Sequence, residues 1–286
     1  MPELPEVETI RRQLAPALEG QTIARVEIRD WRWTRPDPPE PVARELRGAA
    51  VERLQRAGKY LIWTLSGDRY LLVHLRMTGA LLLDPVGEPA HTRVWFTLAG
   101  GSRLAYVDPR RFGTGHLVHG TAALAAYLSD RLGVEPLTPE FTAEALRAQA
   151  RGRRVPVKAF LLDQKRIAGV GNIYADEALF RAKIHPLRPV GKLTLAQLHR
   201  LRDGIEQALR EGIDAKGASI DDFRHIDGSR GAFQDRFLIH TRAGEPCVRC
   251  GNPVKKIVVG GRGTYVCERC QRKPRASRAA GVSRAS

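Results

Sequence analysis

Four cysteines are arranged in two closely spaced pairs near the end of the chain. Cys247 and Cys250 form one C-x-x-C pair, Cys267 and Cys270 form the other, and sixteen residues separate the pairs. Two thiolates that flank a two-residue turn can face one ion, and two such turns complete a tetrahedral site. Because four protein ligands leave no position for a substrate, we predict one structural Zn²⁺. The alternatives for these cysteines are a redox pair or free thiols.

The segment between the cysteine pairs predicts a β-hairpin. Residues 254–259 and 264–266 are the expected strands, and the glycine-rich string 260–263 is the expected turn. This arrangement places Arg262 at the tip of the hairpin.

The charge of the chain indicates a polyanionic partner. Lysine and arginine number 47 against 31 acidic residues, which gives a formal net charge of +16. Residues 247–286 contain ten basic residues and one acid, and residues 147–166 contain seven and one. A merely basic, soluble protein would disperse this charge, so its concentration favours nucleic-acid binding.

The sequence contains no segment that predicts membrane insertion or export. No apolar run approaches the roughly 20 residues needed to span a bilayer. Residues 1–6 lack the basic and apolar regions of a secretory signal. We therefore expect the protein in the bacterial cytoplasm, associated with the nucleoid.

Periodicity predicts three kinds of structure in succession. Residues 5–18 have apolar residues at helical spacing, and Pro5 suits a first helical turn. Closely spaced strands should follow and form an antiparallel sandwich or barrel, at 22–28, 51–56, 60–65, 70–77, 94–98 and 104–107. Helices are expected next, at 142–150, 157–163, 173–182 and 194–211. The remaining predictions are a proline-rich loop at 36–41, a long loop at 213–233 and an unstructured basic tail from 273.

Several unusual strings occur in one order along nearly the whole chain. Five of them occupy residues 2–9, 58–61, 74–79, 108–113 and 169–175, and the cysteine pattern is the last. Together they resemble the bacterial formamidopyrimidine-DNA glycosylases. The resemblance implies an α+β protein with a catalytic β-sandwich at 1–132, a helix-two-turn-helix domain at 133–234 and a zinc finger at 235–272. The basic tail 273–286 lies beyond the family pattern. The implied partner is damaged double-stranded DNA, bound by a monomer in the cleft between the two lobes.

The resemblance also implies a catalytic amine at the start of the chain. Removal of Met1 would free the nitrogen of Pro2, and an unshifted terminal amine has a pKa of roughly 8, so it is a ready nucleophile. Glu3 would then protonate the opening sugar oxygen. Glu6 belongs either to this site or only to the helix start. Lys59 and Arg262 complete the catalytic residues that the family assigns. The implied activity is excision of 8-oxoguanine and formamidopyrimidines, followed by strand cleavage through β,δ-elimination.

A second group of residues is expected to hold the DNA. An extruded base leaves a gap in the stack, and the resemblance assigns the filling of that gap to Met77, Arg110 and Phe112. Arg111 is the alternative to Arg110 as the residue that reads the orphaned cytosine. The phosphate contacts implied by the family fall, besides Arg262, on His91, Arg153, Lys158 and Asn172.

Two other functions would explain part of the sequence. Endonuclease VIII, a relative that prefers oxidised pyrimidines, would share the fold, although Leu4 and the string 7–9 favour the purine enzyme. A non-enzymatic zinc-ribbon protein that binds DNA would explain the cysteines and the charge. It would not explain the N-terminal string.

Overall fold

The N-terminal half consists of one long helix and two four-stranded sheets. A computed structural model describes residues 1–220 and 223–274. Helix α1 spans Leu4–Leu18, and helix α2 spans Pro39–Leu46. The strands are β1 Ile23–Ile28, β2 Val51–Ala57, β3 Tyr60–Leu65, β4 Arg69–His74, β5 Ala80–Leu83, β6 Thr92–Leu98, β7 Arg103–Val107 and β8 Thr114–His119.

The two sheets form the predicted antiparallel sandwich. One has the order β1-β6-β7-β5 and the other the order β2-β3-β4-β8. Alternate strand residues point into a shared apolar core, where Trp63 packs against Phe96 at 5.0 Å between ring centroids. The apolar face of α1, including Ile10 and Leu14, closes the same core. The strands of this half are therefore rigidly held, and their connecting turns are fixed in position.

One end of the sandwich collects the turns that carry most of the predicted site residues. Pairing in register brings the ends of β1, β2, β4 and β7 beside the starts of β3, β5, β6 and β8. We call this the site end, and it comprises the connections 29–33, 58–59, 75–79, 89–91 and 108–113. Lys59, Met77, His91, Arg110 and Phe112 all lie on these connections.

The second half is helical. Helix α3 spans Thr121–Ser129 and covers the outer face of the second sheet, and the others are α4 Ala143–Ala150, α5 Val157–Leu162, α6 Asn172–Ala182 and α7 Leu195–Asp214. The predicted capping box of α7 is present, because the Thr194 hydroxyl accepts from the Gln197 N–H at 3.2 Å. Helices α6 and α7 pack together at the centre of this half, where Leu4 of α1 also lies.

The C-terminal hairpin contains β9 Lys255–Val259 and β10 Arg262–Val266. Its turn is shorter than the sequence predicted. Only Gly260 and Gly261 form it, both with positive φ, as a two-residue hairpin turn requires. Arg262 is therefore not a tip residue. It is the first residue of β10 and pairs with Val259, which fixes its backbone in the sheet.

Several predicted boundaries were wrong. The expected strand 70–77 ends at His74, because Arg76 adopts a left-handed φ of 54° and turns the chain. The proline-rich stretch at 36–41 leads into α2, since prolines at the first helical turn cost no hydrogen bond. The short strands β5 and β8 and helix α3 were missed.

The long loop follows α7, which ends at Asp214, and it includes a 3-10 turn at Phe233–Arg236. Residues 221–222 of this loop and residues 275–286 of the predicted basic tail lie outside the described residues. Within the described part of the chain, no helix has the length and apolar character needed to cross a membrane.

Candidate functional site

The start of the chain is held against the amino end of α6. Glu3 is 2% exposed, and its carboxylate accepts from the Ile173 N–H at 3.0 Å and the Tyr174 N–H at 3.4 Å. The Leu4 N–H donates to the Gly169 carbonyl at 3.0 Å. The positive end of the α6 dipole therefore stabilises negative charge on Glu3. These contacts join the two halves of the protein at the N-terminus.

Two glycines of the string 169–175 permit this close approach. A Cβ on Gly171 would lie 2.3 Å from the Glu3 Cδ atom. A Cβ on Gly169 would lie 2.7 Å from a Leu4 side-chain atom, and the φ of Gly169 is +85°. Any larger residue would displace the N-terminal segment, so these glycines shape the surface on which Glu3 is seated.

A cavity of about 430 Å³ opens beside the N-terminus, between the sandwich, the helical half and the zinc hairpin. Met1, Glu3, Lys59, Asn172 and Arg262 line it, and their side chains come from four separate segments of the chain. Its size suits an extruded nucleotide. A cavity of about 560 Å³ between α4 and α7 contains none of the predicted catalytic residues, so its size does not make it the better candidate.

Lys59 contributes a buried amine to this cavity. Its side chain is 4% exposed, and burial lowers the pKa of its ammonium group. The negative charges of Glu3 and Glu6 oppose this effect, whereas the positive charge of Arg262 adds to it. The four side chains are therefore close enough to influence one another, and Lys59 places an amino group beside the two carboxyl groups.

Glu6 links the N-terminus to the long loop. It accepts from the Glu3 N–H at 2.8 Å, the Tyr174 hydroxyl at 2.8 Å and the Ala218 N–H at 2.8 Å. Burial raises its pKa to about 7, with a further contribution from the charge of Glu3, although the three hydrogen bonds lower it. The role of Glu6 therefore extends beyond the helix start, because it ties the loop after α7 to the N-terminal segment.

The raised pKa of Glu6 should appear in the pH dependence of stability. The folded pKa lies above the ordinary 4.5, so the stabilisation is complete below pH 4.5 and is lost as pH rises through 7. The stability of the native chain relative to a Glu6→Gln variant should fall by about 2 to 3 kcal/mol between pH 5 and 8. Denaturant melts of both proteins at each pH measure this difference. The exposed Glu40→Gln variant is the control. If the difference in unfolding free energy between native and Glu6→Gln proteins did not change with pH, the assignment would be contradicted.

Lys158, predicted to bind a DNA phosphate, is buried within the protein. Its side chain is 0% exposed, and the phosphate contact stays a prediction. The Nζ atom donates to Asp176 Oδ1 at 2.7 Å, the Gly263 carbonyl at 3.1 Å and Thr264 Oγ1 at 2.8 Å. All three of its donors are therefore used within the protein. Lys158 instead holds β10, and with it Arg262, against the helical half.

Sequence reasoning missed two acids of α6 that hold the segment leading into the zinc finger. Asp176 Oδ2 also contacts the His240 Nδ1 atom at 2.8 Å. Glu177 accepts from three consecutive backbone N–H groups, at 238–240, and pairs with Arg181 at 2.6 Å. Both acids are buried, and most of the other buried residues of this helix are apolar. Adjacent acids in such a segment were the available signal, because buried carboxylates require partners.

The three residues predicted to fill the base gap lie on two neighbouring turns of the site end. Met77 lines the cavity, and Phe112 is 48% exposed with the Arg110 guanidinium 4.9 Å from its ring centroid. Arg111 instead donates to Asp30 Oδ2 at 2.5 Å. Since Arg111 already has a partner, Arg110 is the better candidate for contact with an orphaned base.

The remaining predicted phosphate contacts are less closely grouped. His91 is exposed at the site end with a φ of 64°, whereas Arg153 is exposed outside the cavity. Asn172 lines the cavity and donates from Nδ2 to the Gly263 carbonyl at 3.1 Å. Only Asn172 of these three therefore lies beside Glu3.

The four cysteines fit a zinc ion. Their Sγ atoms lie within 4.8 Å of one another, with 3.9 Å between Cys247 and Cys270 and 3.5 Å between Cys250 and Cys267. Tetrahedral bonds of about 2.3 Å place sulfur atoms about 3.8 Å apart. The geometry therefore matches one closed, structural Zn²⁺ site, held by all four thiolates.

Family comparisons cover nearly all of the described chain. The formamidopyrimidine-DNA glycosylase N-terminal domain matches residues 1–115, the H2TH domain of the same enzymes matches 132–224, and the zinc finger found in FPG and IleRS matches 244–272. The formamidopyrimidine-DNA glycosylase of Symbiobacterium thermophilum is 44% identical and covers 96% of this chain and 90% of its own length. That of Ruegeria pomeroyi is 46% identical over 95% of this chain and its own full length.

Solved structures agree with these sequence matches. Lactococcus lactis Fpg in complex with an abasic-site-containing DNA superposes with a TM-score of 0.88 at 37% identity, covering 95% of this chain and 100% of that one. The Thermus thermophilus MutM (FPG) structure gives 0.85 at 40% identity, covering 94% and 98%. The sandwich, the helical domain and the zinc finger are shared along the whole length, and the chain belongs to the formamidopyrimidine-DNA glycosylase family.

Proposed function

We propose that this chain excises oxidised purines from duplex DNA and then cleaves the strand, with the nitrogen of Pro2 as the nucleophile. The observation that carries the proposal is the convergence of the N-terminal segment, Lys59 and Arg262 on one cavity between the two halves. Solved relatives were crystallised with DNA that contains an abasic site or a FAPY-dG lesion. In this proposal the cavity receives the sugar of the lesion beside the Pro2 nitrogen.

The first bond changes take place at C1′ of the damaged nucleotide. Removal of Met1 converts the Pro2 nitrogen from an amide to a secondary amine with a free electron pair. That pair forms the bond to C1′, and the base leaves with the electrons of the glycosidic bond and takes a proton from water. The attacking nitrogen gives up its own proton to the Glu3 carboxylate. The C1′–O4′ bond then breaks, the nitrogen pair forms the C1′=N bond of an iminium ion, and O4′ takes the proton from Glu3.

Strand cleavage follows from the same intermediate. The iminium ion acidifies C2′, so loss of a proton there expels the 3′ phosphate, and a second proton loss at C4′ expels the 5′ phosphate. Glu3 is the group placed to move these protons. Lys59 and Arg262 stabilise the negative charge of the phosphates beside the sugar, because both bring cations to the cavity.

The turns of the site end hold the duplex open in this proposal. Extruding the damaged base costs a few kcal/mol of unstacking and unpairing. The exposed Phe112 ring enters the gap, Met77 supports it from the cavity side, and Arg110 hydrogen-bonds the base left without a partner. The protein acts as a monomer in the cytoplasm, with the domain limits 1–132, 133–234 and 235–272.

Parallel assays on three duplexes test this function. The protein should release 8-oxoguanine paired with cytosine, leave undamaged guanine intact, and produce strand ends that carry phosphates on both sides of the gap. Faster release of an oxidised pyrimidine such as thymine glycol would assign the activity of endonuclease VIII instead. Ends that retain an unsaturated sugar would limit the lyase step to β-elimination.

A further inference from the structure

Only two aromatic side chains are exposed among the described residues, Trp31 at 59% and Phe112 at 48%. Both lie at the site end of the sandwich. Phe112 has a proposed role in the base gap, whereas nothing in the mechanism uses Trp31. An indole that remains in water exposes a large apolar surface, and such surfaces commonly mark a contact site.

The turn that carries Trp31 is firmly anchored. Residues Trp31–Trp33 form a 3-10 turn, and the Asp30 carboxylate caps it by accepting from the Arg32 N–H at 3.2 Å. Trp33 is 2% exposed and packs in the sandwich core against Phe96 at 6.0 Å between ring centroids. The buried Trp33 thus anchors the turn to the core, and the exposed Trp31 of the same turn faces solvent.

The same turn is joined to the loop that carries the gap-filling residues. Asp30 Oδ2 accepts from the Arg111 Nε atom at 2.5 Å, and Arg111 lies between Arg110 and Phe112 in the chain. Trp31 therefore lies on a turn that is tied directly to the loop of the predicted gap-filling residues. Nucleotides follow one another at about 3.4 Å of helix axis, so a contact from this turn would fall on the backbone a few nucleotides from the lesion.

The charge around Trp31 matches that position. The Arg32 guanidinium lies 5.8 Å from the Trp31 ring centroid, and Arg35 is exposed four residues after Trp31 in the chain. An arginine next to an aromatic ring suits phosphate and sugar together, because the guanidinium binds phosphate oxygens while the ring covers the deoxyribose.

We propose that Trp31, Arg32 and Arg35 form an additional DNA contact that grips the sugar–phosphate backbone flanking the lesion. This inference rests on the proposed function for its ligand. It adds a surface outside the catalytic cavity, and it predicts that Trp31 contributes to affinity and not to the chemical step.

Tryptophan fluorescence tests this contact in the native protein. Trp33, Trp63 and Trp95 are each at most 2% exposed, so acrylamide should quench mainly Trp31. Binding of a duplex with tetrahydrofuran, an abasic-site analogue, opposite cytosine should remove most of this quenching. A Trp31→Phe variant should lack the quenchable component and thereby confirm its source.

Affinity measurements separate the contribution of the Trp31 ring to DNA binding from that of the Arg32 and Arg35 charges. Trp31→Ala should weaken binding of the same duplex about tenfold without changing the salt slope. The double change Arg32→Ala and Arg35→Ala should reduce the slope of log affinity against log salt by about 2. Arg103→Ala is the matched control, because Arg103 also stacks on a tryptophan but lies at the opposite end of β7.

The outcomes distinguish this inference from the proposed function. Tight binding that leaves Trp31 fully quenchable, or Trp31→Ala with native affinity, overturns the inference alone and leaves the indole free for a protein partner. A native chain that fails to bind the damaged duplex overturns the proposed function and this contact together. Equal melting temperatures for native and Trp31→Ala proteins exclude misfolding as the cause of weaker binding.

Discussion

A protein with a blocked N-terminus should form no borohydride-trapped adduct with DNA that contains 8-oxoguanine. The nitrogen of Pro2 has no free electron pair while Met1 or any longer extension is attached to it. Loss of a covalent nucleophile costs roughly 10⁴-fold or more in rate, so trapping and base release should both disappear. The comparison uses one chain with a cleavable N-terminal extension, assayed before and after proteolysis exposes Pro2.

Two measurements make this comparison decisive. Intact mass confirms whether Met1 is present, and peptide mapping of the trapped adduct identifies the attacking residue. A Lys59→Met variant is the control, because it removes the other amine of the cavity but leaves Pro2, so it should react more slowly and still form the adduct. Efficient trapping by the extended chain, or an adduct on Lys59, would refute Pro2 as the nucleophile.

The elements that local patterns predicted well are those whose stability is also local. Strand β3 Tyr60–Leu65 and helix α7 Leu195–Asp214 appear as expected, since one is a continuous apolar run and the other begins with a capping box. Strand β5 is only four residues long, and it exists because Leu81 and Leu82 pair with β7, a partner more than twenty residues away. Pairing of that kind leaves no signature in a short window.

The site residues also divide into those that local sequence indicates and those that depend on distant contacts. The string 2–9 and the cysteine spacing identified the N-terminus and the metal ligands, because these features are continuous in sequence. The burial of Lys158 could not be read from the sequence, since it depends on Asp176 and on the hairpin carbonyl of Gly263, which only the folded chain brings together. The exposure of Trp31 is likewise a tertiary property, because Trp33 has the same side chain two residues later and is buried.

Replacement of Phe112 and replacement of Glu3 should slow the enzyme in different ways. Phe112→Ala removes a ring that fills the gap after extrusion, so excision from a duplex should slow roughly tenfold to hundredfold. A substrate whose damaged base is already unpaired needs no such filling and should react at nearly the native rate. Because Phe112 is 48% exposed, the melting temperature of the Phe112→Ala protein should stay close to that of the native chain.

Glu3→Gln removes a proton carrier and leaves the gap-filling residues intact. Base release should therefore slow about 10²- to 10⁴-fold on duplex and unpaired substrates alike. The glutamine carbonyl can still accept from the Ile173 N–H, so the N-terminal segment should remain seated on α6. Single-turnover rates on both substrates, with a melting curve for each variant, separate the two roles. Equal slowing of Phe112→Ala on both substrates would remove Phe112 from the gap, and substrate-dependent slowing of Glu3→Gln would remove Glu3 from proton transfer.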